Sequence, residues 1–199
     1  MRSRLTSLLA LLACVGLVGG CFAPPASSPD FSSNATAKEL LGGTTWSDPQ
    51  GSFTLTFDSN GKLIDIQVPS LPAEFQNMNI TGEPFDVKLP PSASEITSMI
   101  GTDTVSVSIL PTSTTLADLG NGSYGLEMNF RGDVGGAPLV ALAVDHAEMT
   151  FTATLTQVGD GYELTNLAGN FAVMSFLGGD PLFQDSIAVN QTVPLTLVQ

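Results

Sequence analysis

The chain has 199 residues, 43% of them hydrophobic, with 19 acidic side chains against six basic ones and a formal net charge of −13. That length suffices for one domain with a substantial core, and the negative charge disfavours nucleic acid and anionic lipid head groups as partners. Two cysteines, Cys14 and Cys21, are too few for a disulfide framework or a thiolate metal cluster.

Arg2 and Arg4 precede an apolar run, Leu5–Val18, which ends in Val18-Gly19-Gly20-Cys21. A basic start, a short apolar core and small residues before a cleavage point make a secretory signal. The run is shorter than the roughly 20 residues a bilayer span requires. Leu17-Val18-Gly19-Gly20-Cys21 resembles the lipobox of bacterial lipoproteins, a resemblance that covers the signal alone. It implies acylation of the Cys21 thiol, cleavage before it by the lipoprotein signal peptidase, and a mature protein held at a membrane by two or three fatty chains. One chain anchors only marginally, whereas two or more hold firmly. In Gram-negative members of that class an aspartate after the cysteine favours inner-membrane retention. Phe22 stands there instead, which favours the outer membrane.

Processing would remove residues 1–20 with Cys14. It would leave Lys38, Lys62, Lys88 and Arg131 as the basic side chains, for a charge of about −15. The acids form no long block, so they read as a solvated surface. Cys21 to residue 39 is expected to be a lipidated cysteine and tether, because Phe22 to about Asn34 is mostly Pro, Ser, Ala and Asp. Thr36–Leu41 predicts a short helix stopped by Gly42-Gly43. Residues 40–199 are then one β-rich domain.

The clearest fold signal is Asn60-Gly61, a dipeptide that favours a two-residue type I′ hairpin turn. Counting outward, Phe57 faces Ile64, Leu55 faces Ile66 and Phe53 faces Val68, with Thr54, Thr56, Asp65 and Gln67 on the other face. Around it, Gly43-Thr44-Thr45-Trp46 followed by Thr56-Phe57-Asp58 and Gly61 resembles the opening of small lipocalin-like envelope domains. In those, a tryptophan near the first strand closes a barrel end.

Further along, Pro69, Pro72, Pro84, Pro90 and Pro91 mark a long connection with one strand near Phe85–Leu89 and a short helix over Ser94–Ile100, capped by Ser94. Val105, Val107 and Ile109 share one face of a strand; Tyr124, Leu126, Met128 and Phe130 share another. Met149, Phe151, Ala153 and Leu155 alternate with threonines, and a turn at Gly159-Asp160 places Leu155 opposite Leu164. Ile187, Val189, Val193, Leu195 and Leu197 keep one parity, and Pro194 points to an edge or a bulge. The period-two pattern predicts an all-β fold, an antiparallel sandwich or barrel of eight or nine strands with one or two short helices.

The parity breaks at Asp145-His146. Val140, Leu142 and Val144 are even, whereas Met149, Phe151 and Leu155 are odd, so a bulge or turn must intervene. His146 is the only histidine, with Asp145 and Glu148 beside it. These three are the candidates for a metal site or for a general base assisted by a carboxylate, although no second imidazole or HExxH supports zinc. A surface histidine at a bulge accounts for the same residues. No G-x-S-x-G elbow is present, and the glycine-rich pieces lack the lysine of a phosphate cradle.

Asp58-Ser59-Asn60-Gly61 and Asp118–Gly122 resemble the start of a calcium loop without its distal glutamate. Arg131-Gly132-Asp133 matches an adhesion tripeptide, for which a turn after Phe130 is the simpler reading. No cofactor is indicated. The expected function is a non-enzymatic envelope lipoprotein that binds or supports an envelope protein or polymer. The alternatives are a lipocalin-like carrier of a small apolar ligand, lined by Phe53, Phe57, Met128, Phe130 and Phe151, and a hydrolase using His146.

Overall fold

The computed structural model describes residues 30–67, 80–88, 91, 94, 97–98, 101–135, 144–175, 180–181, 183–189 and 192–198. The signal, Cys21, Val68 and most of Ser94–Ile100 therefore lie outside the described residues. The elements are β1 (Ser32–Ser33), α1 (Ala35–Leu41), β2 (Thr45–Ser47), β3 (Thr54–Phe57), β4 (Leu63–Gln67), β5 (Phe85–Lys88), β6 (Thr104–Gly120), β7 (Ser123–Gly135), β8 (Val144–Val158), β9 (Gly161–Ser175), β10 (Phe183–Val189) and β11 (Val193–Leu197).

The fold is all-β. One sheet of 11 strands runs β1-β6-β7-β8-β9-β11-β2-β3-β4, with β5 also on β6 and β10 also on β9. The two separate sheets of a sandwich are thus replaced by a single sheet, and the count exceeds the eight or nine expected. The short β1–β6 pair is parallel and every other ladder is antiparallel. The sheet wraps on itself: Leu40 and Leu41 of α1 and residues of seven strands, from Trp46 to Leu195, surround one small void. No ladder joins β4 to β6 among the described residues, so the wrap is not a closed barrel.

Alternation fills the inside. Val105, Val107, Ile109, Leu126, Met128, Phe130, Met149, Ala153 and Leu155 are all buried, each large one contributing about 1.5–3 kcal/mol. Phe151 packs edge-to-face on Phe130 at 5.7 Å and leans over Gly169, where a Cβ would come within 2.8 Å of its ring. Leu197, expected to face inward with Leu195, is 52% exposed. It lies at the strand's end, where β11 has left β9 and pairs only with β2. Pro194 sits where β11 pairs with β9 alone, so its missing N–H faces no ladder.

Turn chemistry decided the local registers. At Asn60-Gly61 only Gly61 has positive φ (77°). The Gly61 N–H donates to Asp58 O (2.9 Å) and the Asp58 N–H to Lys62 O (2.8 Å), making a three-residue loop instead of a type I′ pair. Asp58 Oδ1 accepts from the N–H groups of Asn60 and Lys62, which holds the turn. Phe57 consequently faces Leu63, and Ile64 becomes the extra residue of a bulge. Leu63 is fully buried and Ile64 is 44% exposed, while Leu55 faces Ile66 as expected.

The type I′ geometry occurs instead at Asn121-Gly122, both with positive φ (54° and 73°), closing β6 onto β7. Asp118 Oδ1 accepts from the Gly120 N–H there (2.7 Å). At the β8–β9 turn Gly159 has φ 60° and Asp160 does not, the pattern of a type II′ turn, and Leu155 faces Leu164.

The helix forms as predicted, extended by one residue, with Asn34 as its N-cap accepting from the Ala37 N–H. Asn34 also clasps Leu116 through both backbone groups, and Ala37 and Leu41 are buried in the core. Ser32–Leu41 are therefore held on the sheet, upstream of the boundary at Leu40 that composition suggested.

Candidate functional site

Two bulges open the outer face of the long hairpins. In β6 the register with β7 shifts between Pro111 and Ser113, leaving Thr112 as an extra residue. In β8 the register with β9 shifts between Val144 and Ala147, so Asp145 and His146 together oppose one residue. That is the break the parity count required. A bulge re-aims the side chains at its site, and here it brings Asp145 to the face that His146 and Glu148 share. Asp145 Oδ2 lies 2.8 Å from Nδ1 of His146, and Glu148 Oε1 lies 3.0 Å from its Nε2. The imidazole itself is 14% exposed, whereas the two carboxylates are largely in solvent.

Ionised carboxylates only accept, so both contacts are hydrogen bonds when the ring donates from both nitrogens; a neutral ring satisfies one. The carboxylates approach opposite edges of the ring, so the three donors do not converge on one point. Among the described residues no group of three His, Cys, Asp or Glu is arranged to hold a metal ion. Nor is either ring nitrogen bonded to a hydroxyl nucleophile.

The cluster continues across the ladder. Arg131 on β7 is the direct cross-strand neighbour of Glu148. No ion pair joins them: Arg131 Nε lies 3.6 Å from Asp133 Oδ1, with its side chain 31% exposed. Beside it, Asn129 accepts from Thr150 Oγ1 (2.7 Å) and donates to Ser113 Oγ (3.0 Å) and Glu127 Oε1 (2.8 Å). Thr112, Asn129, Arg131, His146, Glu148 and Thr150 line an open hollow of about 320 Å³. Its floor is the strand backbone at Phe130 and Met149, whose side chains are buried on the other face.

Sequence reasoning found Asp145, His146 and Glu148 but missed Arg131, Asn129 and Thr150. Arg131-Gly132-Asp133 is not a turn, because β7 runs through it to Gly135. Gly132 stands there since a Cβ would come within 3.2 Å of the Ala147 Cβ and 3.4 Å of Val107. The tripeptide is accounted for by close backbone packing.

The inside offers far less room. Two voids of about 10 and 20 Å³ lie between Leu40 and Leu195 and around Phe151, space for about one water each, against about 150 Å³ for a cavity that takes benzene. Trp46 helps fill the first. It is 8% exposed, its Nε1–H donates to Thr44 Oγ1 (2.7 Å), and it meets Tyr162 edge-on at 5.1 Å. Burial, reinforced by the neighbouring Tyr124, raises the Tyr162 phenol above its ordinary value.

No family model, curated protein or solved structure matches the chain.

Proposed function

We propose that the chain is a lipid-anchored cell-envelope lipoprotein whose β-domain is a non-enzymatic binding module, held through fatty chains on Cys21 and displayed on the outer membrane where a cell has two. The observation that carries the binding reading is the distribution of space. Among the described residues the hollow outside measures about 320 Å³, while two voids inside hold about 10 and 20 Å³. That contrast supports recognition on the surface over an enclosed apolar cargo. The anchor reading rests on Leu17–Cys21. Among the described residues no helix is long and apolar enough to cross a membrane.

The test is metabolic labelling with radioactive palmitate, in the native chain and in Cys21→Ala, followed by fractionation. Label in the native protein only, with Cys21→Ala released from membranes, is the expected result. Equal membrane retention of an unlabelled native chain overturns the anchor. Native mass spectrometry of the extracted protein addresses the binding reading, and a stoichiometric lipophilic passenger would overturn it.

A further inference from the structure

We infer that the hollow between the Thr112 and Asp145-His146 bulges is a saccharide site, taking a neutral hexose-type unit of a glycan. This deepens the binding reading above and rests on it for its biological setting. Its volume of about 320 Å³ sits at the small end of ligand sites, which span roughly 300–1,000 Å³. Both bulges flank the Arg131–Glu148 cross-strand pair, so the backbone is shaped at this spot.

The charges of the wall select the ligand class. An anionic group entering the hollow meets the Glu148 carboxylate of its lining, backed by Asp145 beside His146 and Asp133 beside Arg131, on a chain of net charge −13. A cationic group meets the Arg131 guanidinium. Either ion would be desolvated against a like charge. A neutral polyol faces neither penalty and uses both signs: one hydroxyl donates to a carboxylate while its neighbour accepts from a guanidinium.

The valences to do this are present. Glu148 spends Oε1 on His146, so Oε2 has no partner among the described residues. Arg131 meets Asp133 through Nε, and its guanidinium has no other acidic partner among the described residues. Vicinal hydroxyls of a sugar ring match that pair of acceptor and donor. The remaining side chains are held before any ligand arrives: His146 by two carboxylates, and Asn129 by Thr150, Ser113 and Glu127. Pre-fixed rotamers reduce the ordering cost of binding.

The test uses the full chain in detergent micelles, titrated with maltotriose, cellotriose and tri-N-acetylchitotriose as neutral probes. A galacturonate trimer and spermidine serve as charged ones. Saturable binding in the millimolar range or tighter of one neutral trisaccharide, with both charged probes weaker, is the expected outcome. Arg131→Gln and Glu148→Gln should each weaken it about tenfold, the loss of one charged hydrogen bond, and Asp65→Asn on the remote β4 should leave it unchanged. An unaltered urea midpoint establishes that the two variants fold. No saturable neutral probe, tighter binding of a charged one, or indifference to both hollow substitutions overturns the proposal. Palmitate labelling is independent of this titration, so failure of one reading is distinguishable from failure of the other.

Discussion

Thr114 offers the sharpest test of the core. It lies on β6 after the Thr112 bulge has switched parity, opposite Met128 and two residues before Leu116. The residue is fully buried, and its Oγ1 has no hydrogen-bond partner among the described residues. A buried hydroxyl without a partner costs about 1–3 kcal/mol of desolvation. Valine replaces that hydroxyl by a methyl of nearly the same shape and keeps the β-branch that strands favour. Thr114→Val should therefore stabilise the fold by about 1–2 kcal/mol. For a chain of this length that raises the melting temperature by about 2–8 °C.

Urea unfolding followed by Trp46 fluorescence measures the change, as a higher midpoint at constant slope. Thr114→Ser provides the contrast, because it keeps the hydroxyl and removes the methyl, and it should destabilise. The reasoning fails if Thr114→Val is less stable than the native chain, which would mean that the hydroxyl gains more from its surroundings than a methyl does.

Two further outcomes follow from the same geometry. The hairpin register predicts that Leu63→Ala costs about 2–5 kcal/mol, whereas Ile64→Ala, at a half-exposed bulge, costs under about 1 kcal/mol; equal losses in urea melts would restore the two-residue turn. Asp48 is nearly buried, and its carboxyl is held below the usual aspartate range, chiefly by the Phe53 N–H and also by Ser52 Oγ. A carboxyl lower in the folded than in the unfolded chain stabilises fully above the unfolded value and loses that effect as pH falls through the folded one. Part of the acid destabilisation below about pH 4 should then vanish in Asp48→Asn, read as a flatter stability profile on the acid side.

The strand faces were legible because a pleated strand alternates its side chains whatever it pairs with. Val105, Val107 and Ile109, or Met149, Ala153 and Leu155, needed only their spacing to be placed inside. The break at Asp145-His146 was legible for the same reason: an odd count between inward-facing Val144 and Met149 has no solution other than an extra residue. Leu155 opposite Leu164 followed from a glycine at the first turn position.

Two things were decided only in three dimensions. Asn60-Gly61 and Asn121-Gly122 offer the same dipeptide, yet only the second makes the two-residue turn. At the first, Asp58 binds the Asn60 and Lys62 N–H groups, Ser33 Oγ donates to Asn60 O, and α1 lies so close that a Gly61 Cβ would meet Ala37 O at 3.1 Å. A loop's geometry there answers to a helix some twenty residues upstream. The hollow is the second case. His146 and Glu148 come from one strand and Arg131 from its neighbour, and a sequence specifies which face a residue takes without specifying which residue stands across from it. Local periodicity fixes orientation along a strand; register across strands is set by turns, bulges and the core they must jointly close, and that is where the site was made.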